Sequence, residues 1–117
     1  MSNKIPRNSE NDYSEAMAQQ RRDFVSEKTD AGLDHVGHYS IDSADTAGNI
    51  ENFMGVAQVP MGLVGPLRVN GEHASGEFYV PMATSEGTLI ASYNRGARLL
   101  SESGGAKVTV VDDAMQR

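Results

Sequence analysis

The sequence contains no cysteine and no tryptophan, and these two absences limit what it can encode. Without cysteine, a disulfide framework and a thiolate zinc site are both excluded, so we expect an intracellular, cytoplasmic protein. Only three Phe and four Tyr occur among 117 residues, and 38% of the chain is apolar. Because large aromatic side chains supply much of the buried area of a small domain, this composition predicts a thin core within at most one domain.

Basic charge and long apolar runs are also scarce. The chain has sixteen acidic and ten basic residues, and the net charge of −6 argues against unspecific nucleic-acid binding. No apolar run approaches the roughly 20 residues of a membrane helix, and no charged leader precedes an apolar stretch, so we expect no membrane segment and no signal peptide. His35, His38 and His73 complete no metal-ligand pattern, so no metal site is expected.

The first half of the chain predicts little beyond one helix. Residues 1–11 are polar and are expected to form a disordered arm, and residues 12–50 a small helical domain. The helix is expected from Asp12 to about Thr29, with Gly32 as its stop. Its apolar face is formed by Tyr13, Met17, Phe24 and Val25, and this pattern leaves Arg21 and Arg22 largely outside that face.

The second half predicts a small sheet with a Gly/Pro-rich loop. Gly and Pro between residues 53 and 66 argue against a central strand there, so the first strand is expected only at Pro66–Val69. Asn70-Gly71 is a hairpin-turn signal, and the return strand is expected at Glu77–Met82, ended by Pro81. A third strand is expected at Lys107–Val111 because this run is largely apolar and β-branched.

One long helix is expected to pack on this sheet, which gives an α+β class and an incomplete domain. Thr84 or Ser85 is its expected cap, and the helix is predicted from Glu86 to about Ser101, ended by Gly104-Gly105. The buried stripe is predicted at apolar positions of helical spacing. These positions are Leu89, Ile90, Tyr93, Ala97 and Leu100.

Glu86 is the first residue that could carry chemistry. An acid in the first turn of a helix is stabilised by the unpaired N–H groups and the positive end of the dipole, and this is the ordinary explanation. The alternative is a general acid that points into a site. A helix start favours the carboxylate, whereas burial favours the protonated acid, and the sequence does not decide between them.

The same helix carries a polar face that could bind an anion. Ser92, Asn94, Arg95 and Arg98 lie three or four residues apart, away from the apolar stripe. Guanidinium groups beside a hydroxyl and an amide suit phosphate oxygens. From spacing alone, an ordinary solvated helix face is the commoner explanation, and neither a G-x-G-x-x-G fingerprint nor a P-loop is present.

Four ordered blocks between Glu51 and Arg117 resemble the 3-hydroxy-3-methylglutaryl-coenzyme A (HMG-CoA) reductase family. The blocks are ENFMG, VPMGLVGPLRVNG, VPMATSEGTLIASYNRGARLL and GGAKVTVVDDAMQR. Their order and spacing match the family's amino-terminal portion, and the helix with Arg21-Arg22 resembles the family's small helical domain more weakly. Phe53-Met54 replaces the more familiar Val-Ile, and Ser85 stands where Thr is commoner.

The resemblance implies a role for each matching residue. Glu86 matches the catalytic proton donor at the carbonyl oxygen, and Arg117 matches an arginine that binds the hydroxymethylglutaryl portion. The segment Glu51-Asn52 matches one at the interface of a homodimer or higher homo-oligomer. Residues that match or adjoin the coenzyme A phosphate grip are Ser92, Asn94, Arg95 and Arg98.

The implied parent reaction is the reduction of HMG-CoA to mevalonate and coenzyme A by NADPH, or less typically NADH, in isoprenoid biosynthesis. Residues 51–117 would be the first part of the substrate domain. The family's catalytic lysine, aspartate and histidine and its nicotinamide-binding domain have no counterparts, so the isolated chain is expected to be inactive. The alternatives are a non-catalytic coenzyme A-binding or dimerisation module, and a truncated piece without a stable fold.

Overall fold

The computed structural model describes residues 2–114 and contains two α-helices and a three-stranded mixed sheet, which confirms the α+β class. The helices are α1 (Glu15–Thr29) and α2 (Leu89–Glu102), and a 3₁₀ helix spans Ser43–Thr46. The strands are β1 (Met61–Gly71), β2 (Ser75–Ala83) and β3 (Ala106–Val108). The backbone divides into two compact units, Met1–Gln58 and Val59–Arg117, so residues 51–58 belong to the first unit. The predicted domain assignments stay predictions.

Helix α1 begins at Glu15, three residues after the predicted start, and ends at Thr29 as predicted. Ser14 caps it, because its Oγ accepts a hydrogen bond from the Met17 N–H at 3.3 Å. The carboxylate of Glu15, in the first turn, is stabilised by the positive end of the helix dipole. The helix ends before Gly32 because Asp30 takes the left-handed conformation, with φ 57°. Asp30 donates its N–H to the Ser26 carbonyl, which satisfies a carbonyl of the last turn.

The prediction that Arg21 and Arg22 lie outside the packed face is wrong. Their exposures are 2% and 6%, comparable to those of Met17 and Phe53 in the same unit. The apolar pattern did not predict this because Arg21 and Arg22 bind backbone carbonyls as well as polar side chains, and carbonyls leave no residue-type signal. Guanidinium groups therefore occupy the centre of the first unit, where a helix of this length would ordinarily bury apolar side chains.

Strand β1 begins at Met61, five residues before the predicted start, and β2 continues through Pro81 to Ala83. The Gly and Pro residues did not exclude strand structure, for two local reasons. Pro81 lies on an edge strand, because the strand order is β2-β1-β3, and an edge strand tolerates a missing N–H. Gly62 lies under α2, where a Cβ would meet Ile90 Cγ1 at 3.0 Å. The expected antiparallel pairing is confirmed, from Met61↔Ala83 to Asn70↔Ser75.

A bulge at Gly65-Pro66 interrupts the pairing of β1 with β2 between Val64 and Leu67. Side chains of α2 bond the backbone groups near the irregularity. Asn94 Oδ1 accepts from the Gly65 N–H at 2.9 Å, and Ser101 Oγ accepts from the Arg68 N–H at 2.9 Å and donates to the Pro66 carbonyl at 3.1 Å. The bulge and the helix therefore fix each other.

Helix α2 begins at Leu89, so the predicted start at Glu86 and the predicted cap at Thr84 or Ser85 are wrong. Thr88 precedes the helix in a left-handed conformation, with φ 68°, and a helix cannot extend backwards through such a residue. The helix ends at Glu102, just before Gly104-Gly105, as predicted. Strand β3 is parallel to β1 and is shorter than the predicted Lys107–Val111.

The predicted buried stripe of α2 is only partly buried. Ala97 is buried, Leu89 and Ile90 are partly buried, and Tyr93 and Leu100 remain exposed. Tyr93, Ala97 and Leu100 line an open apolar groove of about 480 Å³, together with Val64 and other sheet residues. The stripe faces the sheet as its spacing requires, but within the second unit the described residues do not fill the groove.

Candidate functional site

The polar side chains of α2 form the candidate site. Ser92, Asn94, Arg95 and Arg98 are all exposed. With about 3.6 residues per turn, they lie along one face in the order Asn94, Arg98, Arg95, Ser92. The four residues therefore share one helix face, as their spacing predicted, but each has different neighbours.

Asn94 and Arg98 share one concavity, which lies between α2 and the bulge of β1. Its volume is about 350 Å³. Its lining residues come from the strand and from the last turns of the helix; they are Gly65, Pro66, Asn94, Arg98, Ser101 and Glu102. Of these, Ser101 uses its hydroxyl in the two hydrogen bonds to β1, and these bonds fix α2 against the strand beside the concavity.

Arg98 forms an ion pair with Glu102, with 3.7 Å between Arg98 Nε and Glu102 Oε1. Both side chains are largely exposed, at 79% and 69%. Because an exposed pair of this kind contributes only about 0.3–0.5 kcal/mol on a helix, the guanidinium remains available to a stronger partner.

Ser92 lies at the border of the polar face. It lines the apolar groove beside Tyr93 and Gly96, on the side of α2 away from the concavity of Asn94 and Arg98. Arg95 lies between the two on the helix surface. The structure therefore brings Asn94 and Arg98 together directly, and relates Ser92 and Arg95 to them only through the shared helix face.

Glu86 lies in a bend three residues before α2, so the first-turn explanation for this acid does not apply. Its backbone N–H donates to Thr84 Oγ1 at 2.9 Å. Its side chain is exposed, so residues 2–114 do not enclose it in a site.

The expected interface segment Glu51-Asn52 lies in the first unit, directly before two residues whose carbonyls bind the buried arginines. Arg21 Nη1 donates to the Phe53 carbonyl at 2.9 Å, and Arg22 Nη1 donates to the Met54 carbonyl at 2.8 Å. Asn52 takes a left-handed conformation, with φ 51°, and its buried Oδ1 accepts no hydrogen bond from any residue between 2 and 114. Glu51 is exposed.

The hydrogen-bond network of Arg22 extends to Glu15 and Tyr39. Arg22 Nη2 donates to Glu15 Oε1 at 2.9 Å, and the Tyr39 hydroxyl donates to Glu15 Oε2. These hydrogen bonds, that from Tyr39 first, lower the pKa of Glu15. Burial and the hydrogen bond to Glu15 raise the pKa of Tyr39. The ring of Tyr39 also meets Phe53 edge to face, with 5.5 Å between centroids.

The sequence did not reveal four groups that fix these segments. Arg21 and Arg22 read as surface residues, while Gly65 and Ser101 carried no functional signal. A pair of adjacent arginines on a helix with a narrow apolar stripe is the one pattern that could have pointed to a buried guanidinium cluster. The roles of Gly65 and Ser101 depend on the bulge, which no local pattern predicts.

Several expectations concern sites that the structure leaves untested. Arg117 lies outside the described residues, so its role stays a prediction. Within residues 2–114, no three His, Cys, Asp or Glu side chains gather closely enough to hold a metal ion. Over the same residues, neither helix is long and apolar enough to cross a membrane.

Comparison with known proteins supplies a family. Residues 17–117 match the family model described as hydroxymethylglutaryl-coenzyme A reductase. Over 98 residues, 83% of this chain, the 3-hydroxy-3-methylglutaryl-coenzyme A reductases of Pyrococcus abyssi and Methanothermobacter thermautotrophicus are 54% and 53% identical. A reductase of Dictyostelium discoideum is 36% identical over the same length. The chain spans 24%, 25% and 17% of these three proteins.

Proposed function

The chain belongs to the hydroxymethylglutaryl-coenzyme A reductase family, and from that premise we propose that it is the amino-terminal part of an enzyme that reduces HMG-CoA to mevalonate. The proposed reaction consumes two nicotinamide cofactors and two protons, converts the thioester carbonyl to a primary alcohol and releases the coenzyme A thiol. Because the chain spans about a quarter of its archaeal relatives, we propose that it is inactive alone.

The observation that carries the proposal is the polar face of α2. Arg95 and Arg98 present exposed guanidinium groups in a chain of net charge −6, where an anionic ligand needs a local cationic surface. Ser92 and Asn94 add a hydroxyl and an amide on the same face. Guanidinium forks and neutral donors together suit phosphate oxygens, so we assign this face to the phosphates of coenzyme A.

Three further roles belong to the same proposal. Glu86 would donate a proton to the carbonyl oxygen, and its exposed side chain leaves it accessible to a substrate. Arg117 would bind the hydroxymethylglutaryl portion. Glu51 and Asn52 would lie at the interface of a homodimer or higher homo-oligomer. A cytoplasmic location also remains a prediction of the sequence.

Residues 2–114 do not fit a nicotinamide dinucleotide. Of the glycine pair that could have approached a pyrophosphate, Gly105 is packed against β1 and Gly104 is bonded to β1 through its carbonyl. A Cβ on Gly105 would meet Arg68 Cγ at 2.6 Å and Asn70 Nδ2 at 2.7 Å, and the Gly104 carbonyl accepts from Asn70 Nδ2. We therefore expect NADPH, or NADH, to bind residues outside this range.

A thermal melt of the chain with and without coenzyme A tests the proposal. Binding to the native state must raise the transition temperature, and the increase must grow with ligand concentration. We expect such an increase for the wild-type chain, its loss in Arg95→Ala, and no mevalonate formation in either case. Arg7→Ala, at an exposed arginine of the first unit, is the matched control and should keep the increase.

Each alternative predicts a different result. A non-catalytic coenzyme A-binding or dimerisation module would restore no activity when the remainder of a related archaeal reductase is added, whereas a part of the enzyme should restore some. A chain with no cooperative transition would correspond to a piece without a stable fold. A cooperative melt that coenzyme A leaves unchanged would contradict the proposed phosphate grip.

A further inference from the structure

The bulge of β1 determines how the amide of Asn94 is oriented. Gly65 and Pro66 fall outside the paired register of β1 with β2, and the Gly65 N–H is directed to Asn94 Oδ1 at 2.9 Å. A backbone N–H can only donate a hydrogen bond, so the atom that meets it must be the amide oxygen. The usual ambiguity between the oxygen and nitrogen of an asparagine is therefore resolved at this position.

This bond fixes which end of the Asn94 amide is turned to the strand. With Oδ1 turned to the Gly65 N–H, the amide presents its NH₂ group to other partners. Arg98, in the same concavity, has a guanidinium group, which also has donors and no acceptor. Ser101 Oγ is already bonded to the Pro66 carbonyl and the Arg68 N–H. Glu102 is the carboxylate among the lining residues, and it is paired with Arg98.

We infer that the Gly65 N–H is a specificity-determining group: by fixing Asn94 Oδ1, it makes the concavity a site for a phosphate-type anion. Glu102 competes with that anion for Arg98. The inference rests on the proposed coenzyme A grip and adds the cause of its selectivity. A ligand group that donates hydrogen bonds meets on Asn94 only an oxygen already engaged by the Gly65 N–H. An oxyanion can accept from Asn94 and Arg98 together.

Glu102 sets the affinity of this site from within the chain. Its carboxylate lies 3.7 Å from Arg98 Nε, so a bound phosphate must share or displace that contact. It also adds a negative charge beside an anionic ligand, and both effects weaken binding. Because Glu102 and Arg98 are exposed, water screens the competition and the effect is modest.

Isosteric substitutions separate the two functions of Asn94. Asn94→Asp keeps an acceptor for the Gly65 N–H but replaces the NH₂ donor with an anionic oxygen. We expect its affinity for inorganic pyrophosphate and for coenzyme A to fall about tenfold or more, with an unchanged melting temperature. Asn94→Ala removes both functions and should lower affinity and melting temperature together. Glu102→Gln should bind both probes about threefold more tightly.

Isothermal titration at fixed ionic strength measures these changes. Thr109→Asp adds the same charge at an exposed residue beyond β3, outside the concavity, and should leave both affinities within about twofold of wild type. If Asn94→Asp binds both probes as well as wild type does, the inference is overturned and the proposed function stands. If wild type binds pyrophosphate but not coenzyme A, the inference stands and the proposed grip fails. Binding of neither probe overturns both.

Discussion

The two units of the chain differ in where they keep charge and apolar surface. The first unit buries Arg21 and Arg22 at its centre, with exposures of 2% and 6%. The second unit leaves apolar side chains of its sheet in solvent, among them Met61 at 71%, Leu63 at 60% and Tyr79 at 63%. These exposures are the reverse of the usual distribution, in which arginine is exposed and leucine is buried.

The difference shows which requirements each unit meets from its own residues. Arg21 donates to the carbonyls of Pro6, Asp12 and Phe53 and to the Asp12 carboxylate, so the first unit supplies the partners of its own buried charge. Apolar side chains leave water only by packing against other apolar side chains, and the second unit has too few of them to cover its sheet. The first unit is therefore closed by hydrogen bonds, while the second needs further apolar contacts.

The largest expected effect is the loss of the buried guanidinium in Arg21→Met. The substitution leaves three carbonyls and the Asp12 carboxylate without their donor, and a buried acceptor left unsatisfied, such as the Phe53 carbonyl, costs about 1–3 kcal/mol. Amide hydrogen exchange should show faster opening in residues 2–58. Arg98→Met removes one partner of an exposed ion pair and should change the free energy of opening of the second unit by less than about 0.5 kcal/mol. Equal effects would remove the contrast between the units.

The next effect tests whether the second unit is tightly packed anywhere. Gly104 and Gly105 have almost the same φ, 106° and 102°, but of the two only Gly105 has close atoms around an added Cβ. Both alanine variants incur backbone strain, and Gly105→Ala should cost about 1–3 kcal/mol more because of overpacking against Arg68 and Asn70. Denaturant unfolding of the two variants measures this difference. A result in which Gly104→Ala is the more damaging would contradict the packing of this turn.

A smaller effect concerns acid. The pKa of Glu15 is lowered by its hydrogen bonds to Tyr39 and Arg22, so the folded state binds the proton less tightly than the unfolded state. The stabilisation is therefore present above the ordinary value of 4.5 and is lost as pH falls through the lower folded value. In Glu15→Gln this part of the acid dependence should disappear from hydrogen exchange of the first unit. Glu27→Gln, also on α1, should retain it.

The smallest effect is expected on the exposed sheet face. Leu63→Thr removes apolar surface that is already in water, so the free energy of unfolding should change by no more than about 0.5 kcal/mol. Its neighbour Val64 is 4% exposed, and Val64→Thr should cost more because it buries a hydroxyl. Light scattering should also show less self-association in Leu63→Thr, since exposed apolar patches promote it. A large loss of stability would mean that Leu63 is covered in the folded chain.

The sequence predicted the elements of the fold better than their ends. The α+β class, the hairpin and the long helix before Gly104-Gly105 follow from composition, turn signals and periodicity. The starts of β1 and α2 do not follow from them. The bulge at Gly65-Pro66 is bonded to side chains of α2, and the residue type of Thr88 does not predict its left-handed conformation.

The candidate site was predicted as a set of residues and not as an arrangement. Helical spacing identified the polar face with Asn94 and Arg98, and the four sequence blocks identified the family. Spacing could not assign Asn94 a bond to Gly65, which lies 29 residues away. Nor could it place Arg21 in the core, since the carbonyls that bind Arg21 carry no sequence pattern.

The order of strands in the sheet has a consequence for synthesis. Strand β2 pairs with β1 across a short turn, from Asn70↔Ser75, so this hairpin can form as soon as both strands have left the ribosome. Strand β3 pairs with the same β1, but Val69 meets Ala106 only after all of β2 and α2 has been made. One edge of β1 is therefore exposed through that interval, and a nascent chain halted before Ala106 should be more prone to aggregate than one that has passed Val108.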